Sequence, residues 1–274
     1  MSGLPTATPR AHPQGARGFR AVRPLATALL ALAATLAAPP VTSQPAMLPL
    51  ALVTTLTVFV HQREVAPRQA DFGRFKASPE VRDVADWIAD SRDNAGAAFV
   101  IVDKLGARIH VFDAQARLRA TSPVLLGAAR GDDSVPGIGT RAMAEVLPHE
   151  RTTPAGRFVA ERGHNANGED VIWVDYDASV SMHRVRATNP QERRLQRLAS
   201  PTVADNRISY GCINVPVAFY ERSLRPLFAH HDAIVYVLPE TRPAQQVFNA
   251  YTVGAPRAAR AVVNDPAIRL SRLQ

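Results

Sequence analysis

The chain has 274 residues, 46% of them apolar and 20% charged, which fits one good-sized globular domain with additions, or two small domains, and excludes a disordered polymer. Lys and Arg together number 32 against 24 for Asp and Glu, a net charge of +8 that drops to +4 once the four arginines of the acid-free first 60 residues are set aside. That modest charge suits a polyanionic partner without calling for nucleic acid, and the chain holds no basic stripe with interleaved aromatics and no nucleic-acid motif.

In chain order, the N-terminus comes first. Arg10, Arg17, Arg20 and Arg23 precede an uncharged Ala/Leu-rich run from Leu25 to Ala38, followed by Pro39-Pro40. A basic, apolar, small-residue order is that of an export signal, and the run is too short to span a bilayer comfortably. A second uncharged stretch, Met47 to Val60, is either the first strand of the mature protein or an extension of the signal into a membrane anchor. Residues 61–77 are polar without a clear period and read as a linker. Ser78-Pro79-Glu80 opens a helix, with a capping hydroxyl, a proline at the first position and an acid at the positive end of the dipole. Val81, Val84, Ala85 and Ile88 give it one apolar face. Asn94-Ala95-Gly96 ends it.

The pattern then changes to strands. Ala98 to Val102 is a continuous apolar run, Lys104-Leu105-Gly106 a turn, and Ala107 to Phe112 an alternating return strand that places His110 on a solvated face. Residues 118–126 form another apolar-leaning run and 127–140 a loop rich in Gly, Asp and Pro. Val171 to Tyr176 and Ile234 to Leu238 are further strands. Gln191 to Leu198 and Val217 to Phe228 have helical composition. Strands dominate without a βαβ rhythm, so the fold class is mainly β, a sandwich or part-barrel with a few helices. The expected organisation is a signal peptide or anchor over 1–46, a linker and helix over 47–95, a catalytic domain over 96–240, and a basic tail over 241–274.

The chemistry centres on the single cysteine. Cys212 lies in Ile208-Ser209-Tyr210-Gly211-Cys212-Ile213-Asn214-Val215-Pro216. A lone thiol has no disulfide partner, and a glycine beside it permits a sharp turn and close approach of a ligand. A thiol attacks only as thiolate, so a neighbour must take its proton or lower its pKa. Among the histidines, His183 is the best placed, in the strand-like segment Ala178 to Val185. The remaining histidines lack metal-ligand spacing, and the adjacent pair His230-His231 reads as surface, so no metal and no cofactor is expected.

Ser209-Tyr210-Gly211-Cys212-Ile213-Asn214 resembles the Ser-His-Gly-Cys-apolar-Asn signature of L,D-transpeptidase catalytic domains. Thr152-Thr153-Pro154-Ala155-Gly156-Arg157-Phe158 resembles that family's Thr-Pro-x-Gly-x-Phe segment, and His183 matches its separate upstream histidine. The resemblance covers roughly residues 97–239, in the family's order. It departs from the pattern in three places: Tyr210 replaces the usual His, Arg184 stands where Gly is common, and His183 lies 29 positions before Cys212, as an insertion around Pro190–Asp205 would produce.

The resemblance implies an L,D-transpeptidase acting on peptidoglycan stem peptides in the periplasm or cell envelope. Cys212 is then the nucleophile and His183 the base. Backbone amides around Tyr210, Gly211 and Cys212 form an oxyanion hole, Ser209 and Asn214 support the turn, and Arg184 either binds a stem carboxylate or is a solvated surface residue. Two other readings stand beside it: a catalytically silent wall-binding module of the same fold, and a purely hydrolytic Cys peptidase. Membrane anchoring through the N-terminus remains open at this level.

Overall fold

Strands buried on one face alternate, and strands buried on both do not; the two central strands here are of the second kind. The computed structural model describes residues 66–255, with His230 excepted. The N-terminal run, the Met47–Val60 stretch, His61 and the last part of the tail lie outside the described residues. The elements are α1 (Pro79–Ser91), β1 (Phe99–Asp103), β2 (Arg108–Phe112), β3 (Leu118–Pro123), β4 (Leu126–Gly127), β5 (Gly156–His164), β6 (Asp170–Asp175) and β7 (Val180–Arg184). They continue with α2 (Arg194–Ala199), β8 (Arg207–Ser209), β9 (Ile213–Val215), α3 (Val217–Phe219), a π-helical turn (Tyr220–Leu224), α4 (Arg225–Leu227), β10 (Ala233–Val237) and α5 (Ala244–Phe248).

Eight strands form one sheet in the order β3-β2-β1-β10-β5-β6-β7-β9. The β1/β10 and β7/β9 joins are parallel, and the others are antiparallel. The edges β3 and β9 curl toward each other. Just past β3, Leu125 exchanges both backbone hydrogen bonds with Asn214 of β9, each at 2.9 Å. This bridge, together with the short parallel pair β4/β8, nearly closes the sheet, so the mainly β class resolves to a part-barrel.

The barrel interior holds Val100, Val102, Ile109, Val111, Ile172, Met182, Ile213 and Val235, capped by Tyr220, Leu224 and Phe228 of the 217–228 helical segment. The outer face of β1 and β10 carries Phe99, Ile101, Ile234 and Tyr236, covered by α1 through Val81, Val84, Trp87 and Ile88. Both strands are therefore buried along their whole length, which is why their apolar runs are continuous. Each fully buried large side chain contributes roughly 1.5–3 kcal/mol of transfer free energy.

Local signals for α1 hold at its start, where Ser78 Oγ accepts from the Val81 amide at 3.3 Å. The helix stops at Ser91, a few residues before the Asn94-Ala95-Gly96 signal, with Arg92 in the left-handed conformation. The segment read as a linker is packed from Asp71 onward: Phe72 is buried and meets Phe112 edge-on at 5.6 Å. The start of the segment expected as a tail is packed too, with Ala244, Phe248 and Ala250 in the core against α1. The π turn precedes Pro226, which has no amide to give to the Arg222 carbonyl and so interrupts α-helical bonding.

One strand residue is corrected outright. His110 does not face solvent; it is 1% exposed, and neither ring nitrogen has a hydrogen-bond partner. Alternation put Ile109 and Val111 in the barrel core as expected, but the opposite face of β2 is not open either: Phe112 there joins Phe72 and α1 in a second core, which the sequence pattern does not reveal.

Candidate active site

Two parallel strands bring the cysteine and the histidine together. The β7/β9 register pairs Met182 with Ile213 and His183 with Asn214. Met182 points into the barrel core, so alternation puts Ser181 and His183 on the other face of β7, where Cys212 arrives at the entrance to β9. The thiol is partly exposed. Its sulfur lies 3.7 Å from Ser181 Oγ and 3.6 Å from the Ser179 carbonyl.

The His183 ring is held by its backbone. Nδ1 lies 2.8 Å from the Arg184 carbonyl, which only accepts, so Nδ1 carries the proton and Nε2 is left for the thiol. Burial pushes the His183 pKa down, but the hydrogen bond and charge of Cys212, with the Arg184 carbonyl, leave it raised overall. For Cys212 burial pushes the thiol up, and the hydrogen bond and charge of His183, with the amide and hydroxyl of Ser181, bring it below its ordinary value. Both shifts favour a thiolate–imidazolium pair.

The turn carrying Cys212 is built from residues on both sides of it. Gly211 has φ +136°, and a Cβ there would lie 2.8 Å from the Thr152 carbonyl. The position therefore requires glycine both for conformation and for space. Ser209 Oγ accepts from the Gly211 amide at 3.1 Å and donates to the Cys212 carbonyl at 2.6 Å. Asn214 Nδ2 donates to the same carbonyl at 3.2 Å. Ser209 and Asn214 are thus bonded to the turn itself. Because the Gly211 amide is spent on Ser209, the amides of Tyr210 and Cys212 are the remaining candidates for stabilising an oxyanion.

The Thr-Thr-Pro segment has a physical role that its pattern did not disclose. Thr153 Oγ1 donates to the Gly211 carbonyl at 2.8 Å and accepts from the Gly127 amide at 2.9 Å. Its own carbonyl receives Lys104 Nζ at 3.0 Å. Lys104 is one of only two lysines in a chain of 32 basic residues. It is fully buried, bonded also to the Gly131 carbonyl at 2.6 Å and Asp132 Oδ1 at 2.8 Å. A compact ammonium fits that three-way site where a planar guanidinium does not. Arg207, two residues before Ser209, closes the cluster through Glu240 at 2.6 Å.

Arg184 does not reach toward the thiol. Its guanidinium pairs with Asp170 at 2.9 Å and with Glu221, and stacks 4.1 Å over the Tyr220 ring. Its donors go to neighbours within the protein, and the desolvation that would lower its pKa is outweighed by those two carboxylates. Tyr210 lies at the rim, 36% exposed, with the Arg151 guanidinium 4.0 Å over its ring. His149, His164 and His231 are exposed. Sequence reasoning missed Ser181, Thr153, Lys104, Arg151 and Arg194; for Ser181 the signal was there, two positions from His183 on a strand. Among the described residues no three of His, Cys, Asp and Glu gather to hold a metal ion, and no helix is long and apolar enough to cross a membrane.

No protein-family model matches the chain, and no curated protein matches it. Among solved structures it is similar to the helical cell shape determining protein Pgp2 from Campylobacter jejuni, at 14% identity over 55% of this chain and 52% of that one, with a TM-score of 0.37. It is also similar to an L,D-transpeptidase from Mycobacterium smegmatis, at 13% identity over 51% of this chain and 58% of that one, TM-score 0.30. A third is Mycobacterium tuberculosis L,D-transpeptidase 1, at 14% identity over 52% and 61%, TM-score 0.28. The matched part of this chain spans about half the length of the first of these. At identities and TM-scores this low, the activity has to be argued from the site itself.

Proposed function

We propose that the protein is an exported L,D-transpeptidase-type enzyme that acts on peptidoglycan stem peptides through a Cys212 acyl-enzyme. The observation that carries this reading is the Cys212–His183 pair, in which one backbone carbonyl fixes the imidazole tautomer and both pKa shifts favour thiolate. The motif resemblance over Thr152–Phe158, His183 and Ser209–Asn214 supplies the substrate class. Export rests on the basic and apolar N-terminal run.

The chemistry follows from the geometry. Cys212 Sγ attacks the carbonyl that joins the L-centre of a diamino acid to a terminal D-residue, while its proton resides on His183 Nε2. The tetrahedral oxyanion is met by the Tyr210 and Cys212 amides. Collapse breaks the C–N bond, His183 gives its proton to the leaving amine, and a thioester remains. A second stem's amine resolves it into a cross-link, or water resolves it into a shortened stem, with His183 again taking the proton.

Mass spectrometry of tetrapeptide stems incubated with the purified protein tests the reading. Loss of the terminal D-residue or formation of dimers is expected with wild type, and a fall of several orders of magnitude with Cys212→Ala. Turnover within tenfold of wild type by a folded Cys212→Ala protein would sink it. A carbapenem offers the same thiolate a strained carbonyl, so an intact-mass adduct is expected on wild type and not on Cys212→Ala.

A further inference from the structure

The segment inserted between His183 and Cys212 places a cation at the site. Arg194, at the start of α2, donates from Nη1 to Asn214 Oδ1 at 2.8 Å, and Asn214 is two residues past Cys212 and bonded to its carbonyl. Glu192 takes the Nε edge of the same guanidinium, and no protein acceptor among the described residues meets Nη2. Its charge reaches the catalytic pair, since it is among the influences that lower the His183 pKa. A second guanidinium stands on the other flank of the turn. Arg151 stacks on Tyr210, two residues before Cys212, and is anchored by the Val146 carbonyl at 3.1–3.3 Å. No carboxylate pairs with it among the described residues.

Neither arginine bonds to the Cys212 thiol or the His183 ring among the described residues. A cationic flank lowers the imidazolium's stability, so on chemical grounds it is a cost to the resting site. It is recovered when an anion binds, because a carboxylate matches a guanidinium edge in charge and geometry.

We propose that Arg194, with Arg151, makes the Cys212 site selective for acyl donors that carry a carboxylate close to the scissile carbonyl, and that Arg194 is the specificity-determining residue of the inserted segment. The inference rests on Cys212 being the nucleophile. It predicts that amidation of the carboxylate nearest the cleaved bond is a stronger handicap here than amidation further along the stem.

Alkylation of Cys212 in the full-length protein separates the two ideas. Anionic iodoacetate and neutral iodoacetamide form the same thioether bond with loss of iodide, so the ratio of their rates reports the local potential and cancels thiolate fraction. The absolute iodoacetamide rate reports whether the thiol is activated at all. Arg194→Gln is expected to lower the iodoacetate-to-iodoacetamide ratio by about three- to tenfold. Arg194→Lys keeps most of it, and Arg193→Gln, at the exposed neighbour, leaves it unchanged. For wild type the ratio falls as salt is raised, a readout that needs no variant to fold. A ratio that moves neither with Arg194→Gln nor with salt overturns the inference while leaving the nucleophile intact. A thiol no faster than a model peptide overturns the nucleophile reading and the donor selectivity with it, and a ratio still high then shows only a positive potential at Cys212.

Discussion

His110 and His183 occupy strands of the same sheet, each directly after an apolar residue that faces the barrel core, Ile109 and Met182, and the fold treats them in opposite ways. His183 has the Arg184 carbonyl on one nitrogen and the Cys212 thiol for the other, and its pKa is raised against the effect of burial. His110 is buried with both nitrogens unpartnered. Desolvation, only partly offset by Asp103 and reinforced by Arg108, takes its pKa down from 6.5 to about 4. Strand position and an apolar neighbour are therefore not what makes a histidine a base. The partners are: the carbonyl of the next residue on β7, and a thiol that the fold brings to the entrance of β9.

The sharpest way to break the comparison is at His183. His183→Ala is expected to cost about two to four orders of magnitude in turnover, the usual worth of a general base, and to raise the thiol pKa, because burial is then no longer offset by the imidazole. Alkylation rate against pH measures both ends of that shift. An apparent thiol pKa that is the same in variant and wild type would show that the pairing has no chemical consequence.

The next effect concerns stability and has opposite signs at the two residues. His183 has a raised folded pKa, so its contribution is full below about pH 6.5 and is lost as pH rises through the folded value. His110 has a depressed one. As pH falls from 6.5 toward 4 the unfolded chain takes up a proton that the folded chain refuses, and stability declines by up to about 3 kcal/mol. Replacing His110 with Leu removes that acid limb, and at neutral pH it relieves two unpaired buried nitrogens, worth roughly 1–3 kcal/mol. Urea unfolding at pH 7 and pH 4.5, compared between wild type and His110→Leu, reads the difference. Parallel losses in both proteins would mean that His110 is hydrated or paired in solution.

The smallest expected effect sharpens the same point. Ser181 supplies a hydroxyl 3.7 Å from the sulfur and lies on the face of β7 that carries His183. Ser181→Ala should raise the thiol pKa, but by less than His183→Ala does, because a weak neutral contact is lost while the charge-assisted one remains. A larger shift than that of His183→Ala would transfer the activating role to the serine.

The sequence by itself determined the elements whose signals are local. The capped α1, the hairpin of β1 and β2, the two-sided burial of β1 and β10, and the Gly211-Cys212 turn are all readable from short patterns, because capping, alternation and glycine geometry act within a few residues. The mainly β class followed from the count of such strands. Tertiary structure alone decided that Leu125 meets Asn214 to bring the barrel near closure, that His110 is buried and Phe72 packs on Phe112, and that Lys104 reaches across to the Thr153 carbonyl beneath the cysteine turn. It also brought Arg194 to Asn214 and turned Arg184 away to Asp170 and Glu221. In each case the partners are separated by many residues of chain, so no local spacing encodes the contact. What selects them is the strand order of the nearly closed sheet, together with the requirement that every charge taken out of water find an opposite charge or a carbonyl.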